Sequence, residues 1–259
     1  IAFIMHVSSE PALKLVGLPK KPKNSNWTKA PQVIDQVDYT QDRVGFLERG
    51  FRQLFIVPAE GGTERQITFG EYDDVSSGIA WSKESKTIIF NSYQKSEAEY
   101  ARGQSNLYSV DINTLELKEL TSREGTESSP RLSPDGTKIA FVGSTFSKNF
   151  YNDSKMYIMD VDGSNLKCIT TSLDQTPSSA IWAINSSGVY FNVREFGQSN
   201  VYHADLKGKV KKVTNGNHML AMNDLVGNNA VASWSDPSNP TDIISFSIEK
   251  SNKIKRLTN

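Results

Sequence analysis

The sequence predicts an all-β protein, a β-propeller of four-stranded antiparallel blades. A short phrase ending in threonine recurs five times, as Gln66-Ile67-Thr68, Glu119-Leu120-Thr121, Cys168-Ile169-Thr170, Lys212-Val213-Thr214 and Arg256-Leu257-Thr258. Successive threonines lie 53, 49, 44 and 44 residues apart, the period of a propeller blade. An aromatic residue precedes each one at near-constant distance, with Phe55, Tyr108, Tyr157, Tyr202 and Phe246 standing 13, 13, 13, 12 and 12 residues upstream.

Those aromatics lie in apolar runs such as Gln53-Leu54-Phe55-Ile56-Val57 and Lys155-Met156-Tyr157-Ile158-Met159, each followed by a turn such as Asp162-Gly163 or Lys207-Gly208. Such a pattern is a hairpin, here the third and fourth strands of a blade. A second hairpin precedes it. Ala80-Trp81, Arg131-Leu132 and Ile181-Trp182 mark first strands, while Ile88-Ile89-Phe90, Ile139-Ala140-Phe141 and Val189-Tyr190-Phe191 mark second strands. The turn between them is clearest at Ser133-Pro134-Asp135-Gly136, where proline presets φ, aspartate bonds locally and glycine accepts positive φ.

The opening Ile1-Ala2-Phe3 repeats Ile139-Ala140-Phe141, so the chain is expected to begin in a second strand. It should then hold four complete blades and most of a fifth, approximately residues 1–69, 70–121, 122–170, 171–214 and 215–259, as one propeller domain cut from a larger propeller. The 259 residues are 37% hydrophobic and 22% charged, enough for a large core in a soluble domain. Twenty-nine basic groups balance 29 acidic ones, which excludes the electrostatic footprint of a nucleic-acid or anionic-membrane binder. No apolar run reaches the roughly 20 residues of a membrane span. The compartment stays open between cytoplasm and periplasm. The single cysteine, Cys168, excludes intrachain disulfides and is expected as a small buried hydrophobe.

Loop lengths single out one face. In an up-and-down blade the turns joining strands one to two and three to four share a face, and these are tight throughout. The other face receives the long connections: roughly 4–52, 92–105, 144–154, 194–199 and 234–241 within blades, and 69–78, 122–128 and 171–179 between them. Function is expected on that insertion face.

Tyr72-Asp73-Asp74 followed by Ala80-Trp81-Ser82, and the run from Ser129-Pro130 through Ser133-Pro134-Asp135-Gly136-Thr137-Lys138-Ile139-Ala140-Phe141, resemble the propeller repeats of prolyl oligopeptidase family serine peptidases and of TolB-type proteins. Pro31-Gln32-Val33-Ile34, Asp42-Arg43-Val44-Gly45-Phe46-Leu47 and Arg52 to Val57 resemble the long insertion of the acylaminoacyl-peptidase-like branch, and favour the peptidases. The resemblance spans the chain but only the non-catalytic half of that family, whose α/β-hydrolase domain carries a Gly-x-Ser-x-Gly elbow with Asp and His. No such elbow occurs here: Gly103-Gln104-Ser105-Asn106-Leu107 and Gly197-Gln198-Ser199-Asn200-Val201 lack the second glycine and recur before equivalent strands. His6, His203 and His218 have no supporting Ser and Asp arrangement. The chain by itself is expected to be non-catalytic and without cofactor or metal. The resemblance implies a hydrolase domain of the same parent chain as partner, peptides as substrates, and a gating role for the insertion face.

Several residues are candidates for substrate or docking contacts. Arg131, basic among first-strand positions Ala80 and Ile181, suits either a channel-lining contact to a substrate carboxylate or a structural ion pair, the latter preferred. Glu97 and Glu99, in a polar loop with Tyr100 and Arg102, suit a peptide amino terminus as acidic pairs do in dipeptidyl peptidases, or are a solvated charge run. Phe146, Phe150 and Tyr151 form an aromatic loop that either marks an interface or packs on itself. Arg194 heads the 194–199 connection and is counted with them. Arg43, Arg49 and Arg52 stand near Asp42 and Glu48, which suggests local ion pairing. Asp160-Val161-Asp162-Gly163 is a hairpin turn, since an EF-hand loop would need Glu where Thr171 stands. Triplets at Asn26, Asn152 and Asn185 matter only in a glycosylating compartment. Two further functions compete with the peptidase reading. One is a TolB-like scaffold for protein partners. The other, a glycosidase, is disfavoured because Ala80, Trp81, Leu132 and Trp182 supply no converging carboxylates.

Overall fold

A computed structural model describes residues 1–10, 17, 19–28, 32–96, 98–101, 103–148, 152–178 and 180–258, the side chains of 75–77 and 251–252 excepted. Strand β1 (Ala2–Ser8) leads into an insertion with a small hairpin, β2 (Thr40–Gln41) and β3 (Gly45–Phe46). Then follow β4 (Gly50–Ile56) and β5 (Arg65–Gln66), which with β1 make a three-stranded antiparallel sheet. The second sheet is β6 (Asp74–Trp81), β7 (Thr87–Ser92), β8 (Asn106–Asp111) and β9 (Leu117–Glu119). The third is β10 (Glu127–Leu132), β11 (Lys138–Gly143), β12 (Lys155–Asp160) and β13 (Lys167–Cys168). The fourth is β14 (Ile181–Trp182), β15 (Gly188–Glu195), β16 (Gln198–Asp205) and β17 (Val210–Lys212). The fifth is β18 (Met219–Val226), β19 (Asn229–Asp236), β20 (Asn239–Ser247) and β21 (Lys250–Arg256), joined to the fourth by one parallel pair, Ser199 with Met219. Strands of a propeller alternate side chains between two neighbouring blades, and four clusters result. Leu54 and Ile67 meet Ile88 and Phe90; Ile89 and Leu107 meet Phe141 and Met159; Ala140 and Ile169 meet Phe191; Val201 meets Leu220 and Ile244.

The recurring threonine has one structural duty in all five blades. The last rung of each outer hairpin is Ile67 N–H to Leu54 O and its counterparts, beyond which the fourth strand peels away. That leaves the third-strand amide without a backbone acceptor, and in the first four blades the residue that carries it is fully buried. The threonine hydroxyl takes it: Thr68 Oγ1 accepts from Leu54 at 2.8 Å, Thr121 from Leu107 at 2.9 Å, Thr170 from Met156 at 2.8 Å, Thr214 from Val201 at 2.9 Å and Thr258 from Ile243 at 2.9 Å. In the fifth blade the bond falls on Ile243, so Ile244, and not Phe246, is the counterpart of Phe55. The ladder there slips at a bulge between Phe246 and Ser247, which moves the expected aromatic two places along the strand.

The inner-hairpin turn forms as its residues dictate. Gly136 N–H reaches Ser133 O at 2.8 Å, Gly136 takes φ +78°, and the Ser133 hydroxyl donates to Asp135 at 2.6 Å. That hydroxyl and the Thr137 amide hold the Asp135 carboxyl down to about 2. Asp160 and Asp162 likewise serve a hairpin, where Gly163 N–H reaches Asp160 O at 2.9 Å and Asp162 accepts from Ser164. Two of the expected long connections are tight instead. β15 and β16 are joined by Phe196-Gly197 alone, both in the left-handed region, and β19 and β20 by Pro237-Ser238. Their strands run on as polar ladders beyond the core, so long insertions are confined to the first three blades. Cys168 is half-buried, its neighbour Ile169 taking the core position.

Candidate functional site

The insertions of the first two blades enclose a groove of about 1060 Å³ between residues 35–52, the 71–73 connection and the 93–104 loop. Its walls come from three chain segments that the sequence separates by tens of residues. Hydrogen bonds tie them together. Glu99, on a 3-10 turn over Ala98–Tyr100, accepts the Val37 amide across the groove. Arg49 pairs with Asp35 at 3.1 Å and donates to the Glu10 carbonyl. Arg52 pairs with Asp73 at 3.2 Å, and its amide donates to the same carboxylate at 2.7 Å. Arg49 and Arg52 are thus ion-paired as expected, with Asp35 and Asp73 in place of Asp42 and Glu48. Carboxylates outnumber cations along the groove six to three, on a chain with no net charge. The potential inside it favours a cationic group.

Below the groove lies a buried polar layer that sequence reasoning missed. Thr68 passes its hydroxyl proton toward Asp74, and Thr121 toward Glu127, each carboxylate being the first residue of the next blade's inner strand. Both carboxylates are buried, and burial raises their pKa against the opposing pull of these hydroxyls. Glu127 also pairs with Arg123 at 3.2 Å, whose guanidinium lies 4.1 Å from the Tyr157 ring centroid. The blade joints here are stapled by a hydroxyl and a carboxylate six residues apart in sequence, and that repeated spacing was the available signal. A second staple sits on the rim. Three residues before each of the first three threonines, Arg65, Lys118 and Lys167 donate to the next blade's turn at Ile112, Asp162 and Leu206, at 2.5, 2.9 and 3.0 Å.

The other sequence candidates scatter. Tyr100 and Phe146 are exposed on insertion-face loops. Arg194 is exposed near the end of β15, opposite Ser199. Arg131 donates to its neighbour Pro130 O at 3.4 Å, and no carboxylate pairs with it among the described residues, contrary to the preferred ion pair. Glu97, Arg102, Phe150 and Tyr151 lie outside the described residues. Among the described residues no cluster of His, Cys, Asp or Glu is arranged to hold a metal, and no helix is long and apolar enough to cross a membrane.

Residues 20–149 match the family model described as the dipeptidyl peptidase IV (DPP IV) N-terminal region. The chain is 27% identical over 154 residues to the Tol-Pal system protein TolB of Francisella tularensis, covering 60% of this chain and 33% of that protein. It is 26% identical over 152 residues to dipeptidyl-peptidase 5 of Porphyromonas gingivalis, covering 56% of this chain and 22% of that protein. The match thus spans about a third or less of these relatives' length. Among solved structures, uncomplexed Pyrococcus horikoshii acylaminoacyl peptidase superposes with a TM-score of 0.65 at 17% identity, over 88% of this chain and 34% of that one. That likeness concerns the fold.

Proposed function

Because the chain belongs to the dipeptidyl peptidase IV N-terminal region family, we propose that it is the non-catalytic propeller of a serine peptidase, standing over an α/β-hydrolase domain of the same parent chain and selecting the peptides that reach it. The acidic groove on the insertion face carries this reading. It is walled by the longest insertions, and its carboxylate excess suits the ammonium of a peptide amino terminus; on this reading a substrate would pass through it between propeller and hydrolase. Glu99 would be one acceptor, with Glu97 beside it in sequence; Tyr100, Arg102, Phe146, Phe150, Tyr151, Arg131 and Arg194 would contribute contacts around the same face. In this scheme the chain supplies recognition and exclusion, and the hydrolase supplies the nucleophile. Fluorescence anisotropy on the 259-residue chain tests it. A labelled peptide with a free amino terminus should bind about tenfold more tightly than its acetylated form, about 1.4 kcal/mol, and Glu99→Gln should erase the difference. Equal binding of the two peptides, or none, would overturn the reading.

A second reading rests on the TolB match, which covers more of this chain than the dipeptidyl-peptidase match does. On it, the propeller is a scaffold for a protein partner, and a pull-down would retain that partner equally well from wild type and Glu99→Gln.

A further inference from the structure

The insertion between β1 and β4 builds a second hollow beside the acidic groove. It holds about 410 Å³, and Val33, Ile34, Tyr39, Phe46 and Leu47 form its apolar lining. Asp35, Gln36 and Arg49 line both hollows, so the two share a wall, of which the Asp35–Arg49 ion pair is part. A volume of this size lies at the low end of the roughly 300–1,000 Å³ of small-ligand clefts and has room for one large side chain.

This apolar lining is not core. Ile34, Tyr39 and Phe46 are 49%, 43% and 60% exposed, and none of the five residues belongs to the apolar clusters between blades. The Tyr39 and Phe46 rings stack on each other, centroids 6.3 Å apart, and still keep that exposure. Backbone bonds set their positions. Leu47 N–H reaches Tyr39 O at 2.8 Å, Val44 N–H closes the turn on Gln41 O at 3.1 Å, and Phe46 pairs with Thr40 across β2 and β3. Single exposed apolar side chains are ordinary on a surface, whereas a contiguous set held in a concave wall marks a contact site.

The hollow also lies within reach of the groove's carboxylate. Glu99 accepts the Val37 amide. On one side of Val37 stands Gln36, which lines both hollows, and two residues along on the other stands Tyr39, which lines the apolar one. The carboxylate suited to an ammonium is therefore about two residues from the apolar wall. An extended peptide advances at most about 3.3–3.6 Å per residue. A chain held by its amino terminus at Glu99 would present its first or second side chain to the hollow and carry later ones past it.

We propose that the hollow is a specificity pocket for a large apolar side chain, aromatic above all, on the first or second residue of a peptide. The proposal rests on the reading of the acidic groove as the site of the peptide amino terminus. Tyr39 and Phe46 stack on the incoming ring, and Val33, Ile34 and Leu47 enclose it.

Fluorescence anisotropy on the 259-residue chain tests the proposal, with five-residue peptides labelled at the carboxyl end. One peptide is alanine throughout, made with a free and with an acetylated amino terminus; the others carry one phenylalanine, at position one, two or five. Phenylalanine at position one or two should tighten binding at least about tenfold over alanine, and at position five it should not. Phe46→Ala and Tyr39→Ala should each remove most of that gain. Both side chains are solvent-facing, and far-UV circular dichroism confirms that each variant keeps its strands. The alanine pair reports on the groove alone, so a preference for the free amino terminus with no phenylalanine gain would overturn this proposal and leave the groove reading standing. A gain that is equal at position five, or that survives both substitutions, would mark simple apolar adhesion and overturn it too. Binding of none of the peptides would overturn both.

Discussion

Replacing Thr121 with valine removes one hydroxyl that serves two buried groups at once. Valine keeps the shape, so the expected loss is of polar partners and not of volume. The Leu107 amide, on a residue with no solvent exposure, loses its acceptor at 2.9 Å. A buried donor left unmet costs about 1–3 kcal/mol. The Glu127 carboxylate, also without exposure, loses its hydroxyl donor and keeps Arg123, and a hydrogen bond to a charged group contributes about 1.5–3 kcal/mol. Thr170 provides the control. It accepts the Met156 amide at 2.8 Å in the same geometry, while the residue six places on is Thr176, so no carboxylate is handed forward. Thr170→Val should therefore cost about 1–3 kcal/mol and Thr121→Val about 3–5 kcal/mol at neutral pH. Urea unfolding followed by tryptophan fluorescence measures both, provided the slope with denaturant stays constant. Equal costs, or a larger cost at Thr170, would refute the claim that the hydroxyl staples one blade to the next through the carboxylate.

Burial raises the folded pKa of Asp74 and Glu127 above their ordinary values of 3.8 and 4.5. Their contribution to stability is complete below those ordinary values and is lost as pH rises through the elevated folded ones. Glu127→Gln should accordingly lose less stability relative to wild type at pH about 8 than at pH about 5, read from urea midpoints; parallel pH profiles would contradict it. The Asp135 carboxyl, held at about 2, acts oppositely, contributing above 3.8 and failing only as pH falls toward 2. Gly163 and Gly208 occupy matching turns at φ +93° and +95°, but a Cβ on Gly163 would lie 2.6 Å from the Leu120 carbonyl, against 3.5 Å to the nearest atom for Gly208. Gly208→Ala should cost about 1 kcal/mol for the left-handed backbone, and Gly163→Ala clearly more. Thermal melts that rank them the other way would show that the turn does not press on the preceding blade.

The fold was legible because its period is written in residues with an obligatory job. A threonine that must satisfy a buried amide cannot drift, and neither can the strand it closes, so spacing alone located the outer hairpins. The fifth blade departed because a bulge absorbs two residues where Phe246 offered a more conspicuous aromatic than Ile244. The tight Phe196-Gly197 and Pro237-Ser238 turns were hidden by strands that extend as polar ladders, where no apolar alternation marks them. Glu127 sits in the polar run Glu124-Gly125-Thr126-Glu127, which reads as a solvated loop until the neighbouring sheet closes over it. The groove was less legible still. Glu99 was singled out from its loop, but its place opposite Val37 depends on an insertion that returns across the face after some sixty intervening residues.

The rim staples at Arg65, Lys118 and Lys167, like Thr68 and Thr121 beneath the first two, reach one blade forward and no further. A molecule bound in this way behaves as a linear array with nearest-neighbour coupling, in which a weakened joint is felt by the blades it links and fades beyond them. Such an architecture tolerates change in whole units. A blade can be gained or lost wherever a threonine, a basic residue three places before it and a tight turn to receive that residue are kept in phase, with no joint elsewhere needing repair.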